Sequence, residues 1–542
     1  MKRFVVALGW LVWAITASTV PNTLARADVE KNTVERFHVL LDRWDLNSAK
    51  AMLDDLRDGP ERDSRAGELA FYEADYATAE RLLAGALATG PFAEDDPLGH
   101  EIRHYLALAR GARQALGPAI RIANHDGTVE IVFAHDKDTL LAPYLFDAMA
   151  EARTSLANDL GIAPDHTVRI EILDDPAKLA MVTPLTLDNV YTTGTVGITK
   201  YRRIVLLTPR VMVYGYGWLD AAVHEYVHYL LTLRTKNRAP VWLQEGLAKL
   251  LETRWRASKP PSIDAPTGTL LHRAIVRDDL VTLAEMYPSV AMLPSQERAA
   301  LAYAEVETML GLLLERRGPA GIGQLLERVA AGEEAQEAFS AAWGDTFERF
   351  LAHWKTTVLA RTRAHGKGEI KKKQFKVGSA EPESSDPSLF GDVFSHLGGG
   401  RARQHARLGV LLTLRGHIRP AVLQYEKARR ADRLVRNDAK LARRLGELYL
   451  ELGAPRKALP LLELAARDDL DNANLAATEG RARVRVGDHD GARRAIARAV
   501  RQNPFIGSIH CDLAKLALDP EVARREQSLC RETQQRGSTH EP

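Results

Sequence analysis

The chain has 542 residues, 45% of them hydrophobic and 27% charged, which at roughly 150 residues per domain suggests about three to four units. Lys+Arg 73 against Asp+Glu 71 excludes a strongly basic protein that coats nucleic acid, and the ordinary composition excludes collagen-like and wholly disordered chains. No apolar run approaches the roughly 20 residues of a membrane-spanning helix.

Lys2 and Arg3 precede an apolar run from Phe4 to about Ala17, and Ala25-Arg26-Ala27 follows. A basic start, a short apolar stretch and an A-x-A end are the layout of a signal peptide, assigned to 1–27. The chain is therefore expected to be exported, to a periplasm or to the outside. No Cys follows the run, so no lipid anchor is expected. Without Lys2, Arg3 and Arg26 the balance is 70 basic against 71 acidic residues. Residues 401–542 carry about ten more basic than acidic side chains, and the part before them is about equally acidic. Solvated helix faces account for such a split, and different partners for the two halves are the alternative.

Residues 28–120 read as an N-terminal helical region. Phe37, Leu40, Leu41 and Trp44, then Leu69, Tyr72, Tyr76, Ala79, Leu82 and Leu83, fall at helical spacing. The stretch 68–88 resembles parts of a tetratricopeptide unit, and a non-repeat helical domain fits equally well. From about 121 the pattern changes. VEIVFA (129–134), VRIEIL (168–173) and RRIVLLTP (202–209) are strand-like, with a helical stretch from about Leu140 to Leu160 and the Gly-rich TTGTVGITK (192–200) before the third. Helices dominate from Trp218 to about Arg363, so 121–364 reads as an α+β unit whose sheet comes first.

Within GWLDAAVHEYVHYLLTL (217–233) lies HEYVH. Residues four apart share a helix face, so His224 and His228 can grip one zinc ion while Glu225 reaches the metal's water. Catalytic zinc usually takes three protein ligands and keeps one open position. Glu245 stands 17 residues after His228, in APVWLQEGLAKLLE (239–252), beyond a Pro-containing turn.

HEYVH followed by WLQEGLA resembles the gluzincin class of zinc peptidases, and the stretches 301–332 and 338–354 further resemble the peptidase MA-like family. The resemblance covers roughly 125–358 and implies an α+β zincin-like catalytic domain. It makes His224, His228 and Glu245 the ligands of one Zn2+ per chain and Glu225 the general base. It also puts Tyr303 near the place of a tyrosine that steadies the transition state in aminopeptidase N-like gluzincins; packing of the helix 301–316 is the other use for that ring. Two departures stand out. GTVGI (194–198) lacks the acid that holds a free amine in those aminopeptidases, which disfavours an aminopeptidase. Lys249 stands where thermolysin-like enzymes keep an acid that orients a zinc histidine. Asp220 and Glu252 are substitutes by helical proximity, and surface charge is the plain account of each.

Residues 365–400 hold KGEIKKKQFK, SAEPESSDPS and three glycines, and read as a flexible linker. The last region repeats: Gly409, Gly446 and Gly480 are each followed by Gly416, Gly453 and Gly487, then Ala421, Ala458 and Ala492, then Ala428, Ala465 and Ala499. Small residues recurring at 37 and 34 residues resemble tetratricopeptide repeats, which implies an α-solenoid over 401–520 with a surface for a protein partner. A C-terminal tail, 521–542, completes the division. Cys511 and Cys530 form one disulfide near the C-terminus or remain two free thiols.

The function expected is an exported zinc metallopeptidase, an endopeptidase, whose repeats recruit protein partners or substrate. The alternative is a non-catalytic peptidase-like scaffold that uses its repeats for protein–protein interaction in the cell envelope. A peptide or protein substrate is expected, with no nucleic acid and no transmembrane segment in the mature chain.

Overall fold

The computed structural model describes residues 35–92, 95–260, 262–362, 370, 372–376, 394–397, 400–431 and 435–538. The expected signal peptide, 1–27, and most of the expected linker lie outside the described residues. The protein is mostly helical with a small mixed sheet. Among the described residues no helix is long and apolar enough to cross a membrane. The chain divides into two compact units, the first ending at Tyr105.

In the first unit the helices Pro60–Tyr72 and Tyr76–Thr89 form a hairpin. Asp75 starts the second helix by accepting from the Thr78 amide at 3.1 Å. Phe71, Ala79 and Leu83 are fully buried, and Gly67 lets the helices approach, since a Cβ there would lie 2.7 Å from Leu83 Cγ. His38, Glu68 and Glu101 form a cluster of metal-ligand type in this unit. A cation already fills it: Arg65 Nη1 lies 2.6 Å from His38 Nε2, 2.6 Å from Glu68 and 3.0 Å from Glu101.

In the second unit five strands among the described residues, β1 Ile120–Ala123, β2 Val129–Phe133, β3 Val168–Leu173, β4 Gly197–Lys200 and β5 Arg203–Leu207, assemble in the order β1-β2-β3-β5-β4. The three expected strands are β2, β3 and β5, which pair in parallel at the centre. β3 is buried except for one half-exposed residue, and β5 is buried along its whole length. Burial on both faces fits the apolar run Ile204–Leu207 of β5, whereas β3 carries Arg169 and a buried Glu171 that pairs with Arg169 at 2.9 Å and with Arg203 at 3.3 Å. β1 and β4 are antiparallel edge strands. The Gly-rich entry segment thus contains an edge strand, Gly197–Lys200, preceded by the short helix Leu187–Thr193.

Among the described residues eight helices follow from residue 401, in four hairpins: Arg401–Leu414 with Ile418–Ala431, Ala439–Glu451 with Pro455–Asp468, Ala473–Val486 with His489–Gln502, and Gly507–Leu516 with Pro520–Ser538. The recurring glycines seat the partner helix. A Cβ would lie 2.7 Å from Tyr425 at Gly409 and 2.9 Å from Leu462 at Gly446, and at Gly480 it would run into Ile496. The fourth hairpin extends into the expected C-terminal tail, where Pro520–Ser538 is helix, and Cys511–Cys530 is a disulfide that ties its two helices. Its helix Pro520–Ser538 buries few side chains, Glu526, Leu529 and Cys530 among them, so no apolar periodicity marked it.

The hairpins pack against the α+β part. Tyr144 OH donates to Glu526 at 2.7 Å, and the buried His510 bridges Glu526 and the Pro504 carbonyl at 2.9 and 2.7 Å. Within the expected linker, residues 372–376 pair with Val211–Val213. Phe375 bridges Met212 in antiparallel fashion.

Candidate metal centre

The HEYVH segment lies in the helix Trp218–Thr235, and WLQEGLA in the helix Val241–Leu251, which Pro240 precedes. The first helix packs against β4 and β5 and the second against the first. One helical turn puts His224 and His228 on a common face, and the short connection brings Glu245 opposite them. Glu245 Oε2 lies 3.3 Å from His224 Nε2 and 3.3 Å from His228 Nε2, and the two nitrogens are 3.2 Å apart. Tetrahedral bonds of about 2.0–2.1 Å separate donors by about 3.3 Å. Two imidazole nitrogens and a carboxylate oxygen at this mutual spacing therefore fit one zinc ion. Buried Glu245 Oε2 has no hydrogen-bond partner, as expected of an atom reserved for a cation.

The outer nitrogens fix the imidazoles. His224 Nδ1 is 3.1 Å from Glu252 Oε2, and Lys249 Nζ donates to the other Glu252 oxygen at 2.6 Å. His228 Nδ1 faces Gln244 Oε1 at 3.3 Å, while the Gln244 amide group donates to the Ala239 carbonyl at 2.9 Å. Each Nδ1 thus meets an acceptor, and both Nε2 atoms face Glu245. Glu252 is the acid that Lys249 is not. Asp220 plays no such part; it accepts from Trp255 Nε1 at 2.8 Å and pairs with Arg256 at 2.7 Å.

The electrostatics suit a cation. Burial disfavours charge on His224, but Glu245 and Glu252 outweigh it and lift the imidazole to about 9. Burial likewise opposes the Glu245 charge, yet His228 and His224 hold its carboxyl far below the usual range. Glu252, buried but beside Lys249 and His224, falls to about 2.

Glu225 is 8% exposed, and its Oε2 is buried without a partner. Burial pushes its carboxyl up, against the pull of His228 and His224. It lies against β4: a Cβ on Gly197 would stand 3.1 Å from Glu225 Cγ and from Oε1. Thr199 Oγ1 donates to the Glu225 carbonyl at 2.7 Å, so the edge strand and the site helix are fastened at this residue. Tyr303, on the helix Gln296–Ala331, presents its ring edge-on to His224 at 6.1 Å between centroids. Burial first, then Glu245, Glu225 and Glu252, push its phenol well above the ordinary value, so it keeps its proton. One turn later burial lifts the Glu307 carboxyl to about 7, against the pull of Lys249.

The structure thus gathers His224, Glu225, His228, Glu245 and Tyr303 in one place. Sequence reasoning missed Gln244 and Gly197. Gln244 adjoins a ligand and would follow from asking what holds His228; nothing local marks Gly197. The repeats reach the N-terminus of the site helix, where Trp218 Nε1 donates to the Val500 carbonyl at 3.0 Å and the Tyr216 amide to the Gln502 carbonyl at 2.9 Å.

Residues 148–360 match the family model described as Peptidase MA superfamily, as the resemblance of HEYVH and WLQEGLA implied. Comparison with curated proteins gives no match. Among solved structures, the chain is similar to yeast LTA4 hydrolase in complex with bestatin, with 12% identity and TM-score 0.29, over 77% of this chain and 65% of that one. It is similar to the MamA RS-1 ArsTM double mutant, with 19% identity and TM-score 0.24, over 28% of this chain and 83% of that one. It is also similar to the APC/C hetero-tetramer Cut9-Hcn1, with 15% identity and TM-score 0.23, over 94% and 95%.

Proposed function

We propose that the protein is an exported zinc-dependent endopeptidase, acting in a periplasm or outside the cell, whose repeats recruit a protein partner or substrate. The observation that carries this reading is the triangle of His224 Nε2, His228 Nε2 and Glu245 Oε2, 3.2–3.3 Å on each side, with the unpartnered Glu225 Oε2 on the residue next to a ligand. His224, His228 and Glu245 would hold zinc there, which would supply a Lewis acid that acidifies water toward neutral pH and polarises a carbonyl.

The chain's own groups do the rest. Glu225, lifted by burial, takes a proton from the attacking water and passes it to the leaving amine. Tyr303, kept as a phenol, donates to the oxygen on which charge develops. Gln244 and Glu252 hold the imidazoles in the tautomer that leaves both Nε2 atoms free. Gly197, with no side chain, lets the Glu225 carboxylate lie against the edge strand. No acid in GTVGI is available to hold a free amine, which favours cleavage within a chain over removal of its first residue.

Replacing Glu225 by Gln should retain zinc while cleavage of a peptide library falls by roughly 10² to 10⁴-fold, the contribution of a general base. Equal turnover in the two proteins refutes the assignment.

A further inference from the structure

Residues 372–376 are held against the α+β part as a protein holds a bound peptide. The Val213 amide donates to the Gln374 carbonyl at 2.9 Å and the Lys376 amide to the Val211 carbonyl at 2.8 Å, a two-bond antiparallel bridge around Met212 and Phe375. Gln296 grips the backbone of Lys373 at both ends: its Oε1 accepts from the Lys373 amide at 2.7 Å and its Nε2 donates to the Lys373 carbonyl at 3.1 Å. Such a clamp reads main chain and is indifferent to side chain. Two side chains add selectivity. Phe375, 8% exposed, meets the ring of Tyr191 edge-on at 5.0 Å, and Lys373 Nζ donates to the Gly194 carbonyl at 3.2 Å. Gly194, at φ +70°, leaves room for this approach, because a Cβ there would sit 3.2 Å from Lys373 Cβ.

Main-chain pairing with an extended segment, with side chains choosing the sequence, resembles the strand-addition mode of peptide recognition, here on a stretch outside the five-stranded sheet. The groups that make it border the metal centre. Gly194 is three residues before Gly197, which touches Glu225, and Gln296 opens the helix that carries Tyr303.

We propose that Val211–Val213, Gln296, Tyr191 and Gly194 form a peptide-binding track, that residues 372–376 occupy it as an internal ligand, and that it accepts extended peptides with an aromatic residue two positions after a basic one. The internal segment competes at the effective concentration of a tethered ligand, on the order of millimolar. An external peptide of about 0.1 mM intrinsic affinity is therefore masked about tenfold. The track works by binding alone and does not depend on hydrolysis.

The test uses the full chain carrying Glu225→Gln, so that the probe is not cut and failure of the peptidase reading leaves the result untouched. The probe is fluorescein-labelled Lys-Lys-Gln-Phe-Lys-Val, the sequence of residues 372–377, followed by anisotropy. Adding Phe375→Ala to the chain should tighten probe binding about tenfold, and adding Gln296→Ala as well should remove that gain. A probe with Ala for Phe should not bind. Equal probe affinity with and without Phe375, or equal affinity for the probe lacking Phe, overturns the proposal. Should Phe375→Ala fail to fold, amide hydrogen exchange of the unaltered chain decides. Slow exchange at Val213 and Lys376 supports the seated segment, and exchange at the rate of free peptide overturns it.

Discussion

Replacing Glu252 by Gln tests whether the zinc imidazoles are held as the geometry indicates. Glu252 accepts at 3.1 Å from His224 Nδ1 and at 2.6 Å from Lys249, whereas His228 Nδ1 meets only a neutral amide oxygen at 3.3 Å. A charge-assisted hydrogen bond is roughly twice as strong as a neutral one, and loss of such an outer partner costs about 10 to 100-fold in metal affinity. Glu252→Gln also removes the carboxylate hydrogen-bonded to the Lys249 ammonium beside the site, and that less balanced charge acts against a second cation. The zinc dissociation constant should therefore rise toward the hundredfold end, about 2.7 kcal/mol. Gln244→Ala, which removes the weaker acceptor, should cost less than about tenfold. Competition with a chromogenic chelator at fixed pH measures both. Equal affinities in wild type and Glu252→Gln, or a larger loss in Gln244→Ala, would show that Glu252 does not support His224.

Three further outcomes are expected. Gly197→Ala places a Cβ 2.6 Å from Leu206 Cδ2 and 3.1 Å from the Glu225 carboxylate; zinc content should persist while turnover drops by roughly 10 to 100-fold through misplacement of the base, and unchanged turnover at equal zinc would contradict that placement. Glu305 is buried, accepts from the Val281 amide at 2.9 Å, and is lifted by burial to about 8. Because its folded value exceeds the unfolded one near 4.3, its contribution is fully present below about 4.3 and is lost as pH rises through about 8. The Glu305→Gln variant should thus gain stability relative to wild type at pH 9 but not at pH 4, and melting curves with the same offset at both pH values would count against it. Removing the disulfide by Cys511→Ser with Cys530→Ser frees a loop with a sequence separation of 19, which should lower stability by about 3 kcal/mol; an unaltered denaturant midpoint would show that helix packing alone holds the fourth hairpin.

Much of this was legible where the physics is local or periodic. β2, β3 and β5 announced themselves as short runs rich in Val, Ile and Leu, whereas β1 and β4 lie at edges, too short and too exposed to leave a pattern. His224, Glu225, His228 and Glu245 follow from helical spacing plus one turn. Glu252 was also within reach, since Glu245, Lys249 and Glu252 stand at i, i+4 and i+7 and must share a face. The geometry also removes one motive for the scaffold reading, the missing orienting acid. The docking of Phe375 was not legible, because its partner Met212 lies far away in sequence and the segment has the composition of a linker. The repeats were legible through glycine and alanine, whose spacing records where helices touch; the fourth hairpin is held by a disulfide and a buried Tyr144–Glu526–His510 network that no repeat consensus encodes.

The seam at Trp218 and Tyr216 bears on how this protein can be divided. The Val500 and Gln502 carbonyls are the acceptors of a buried indole and of an amide just ahead of the HEYVH helix, and a side chain at Gly215 would collide with the Gln502 carbonyl. A fragment ending at residue 400 strands both donors and wets the indole at the root of the helix that presents His224. Transplanting a different repeat array onto 106–400 fails in the same way unless its third hairpin ends with carbonyls in the same two places. The two parts are in this respect a lock and its housing, to be expressed, truncated or recombined only as a pair.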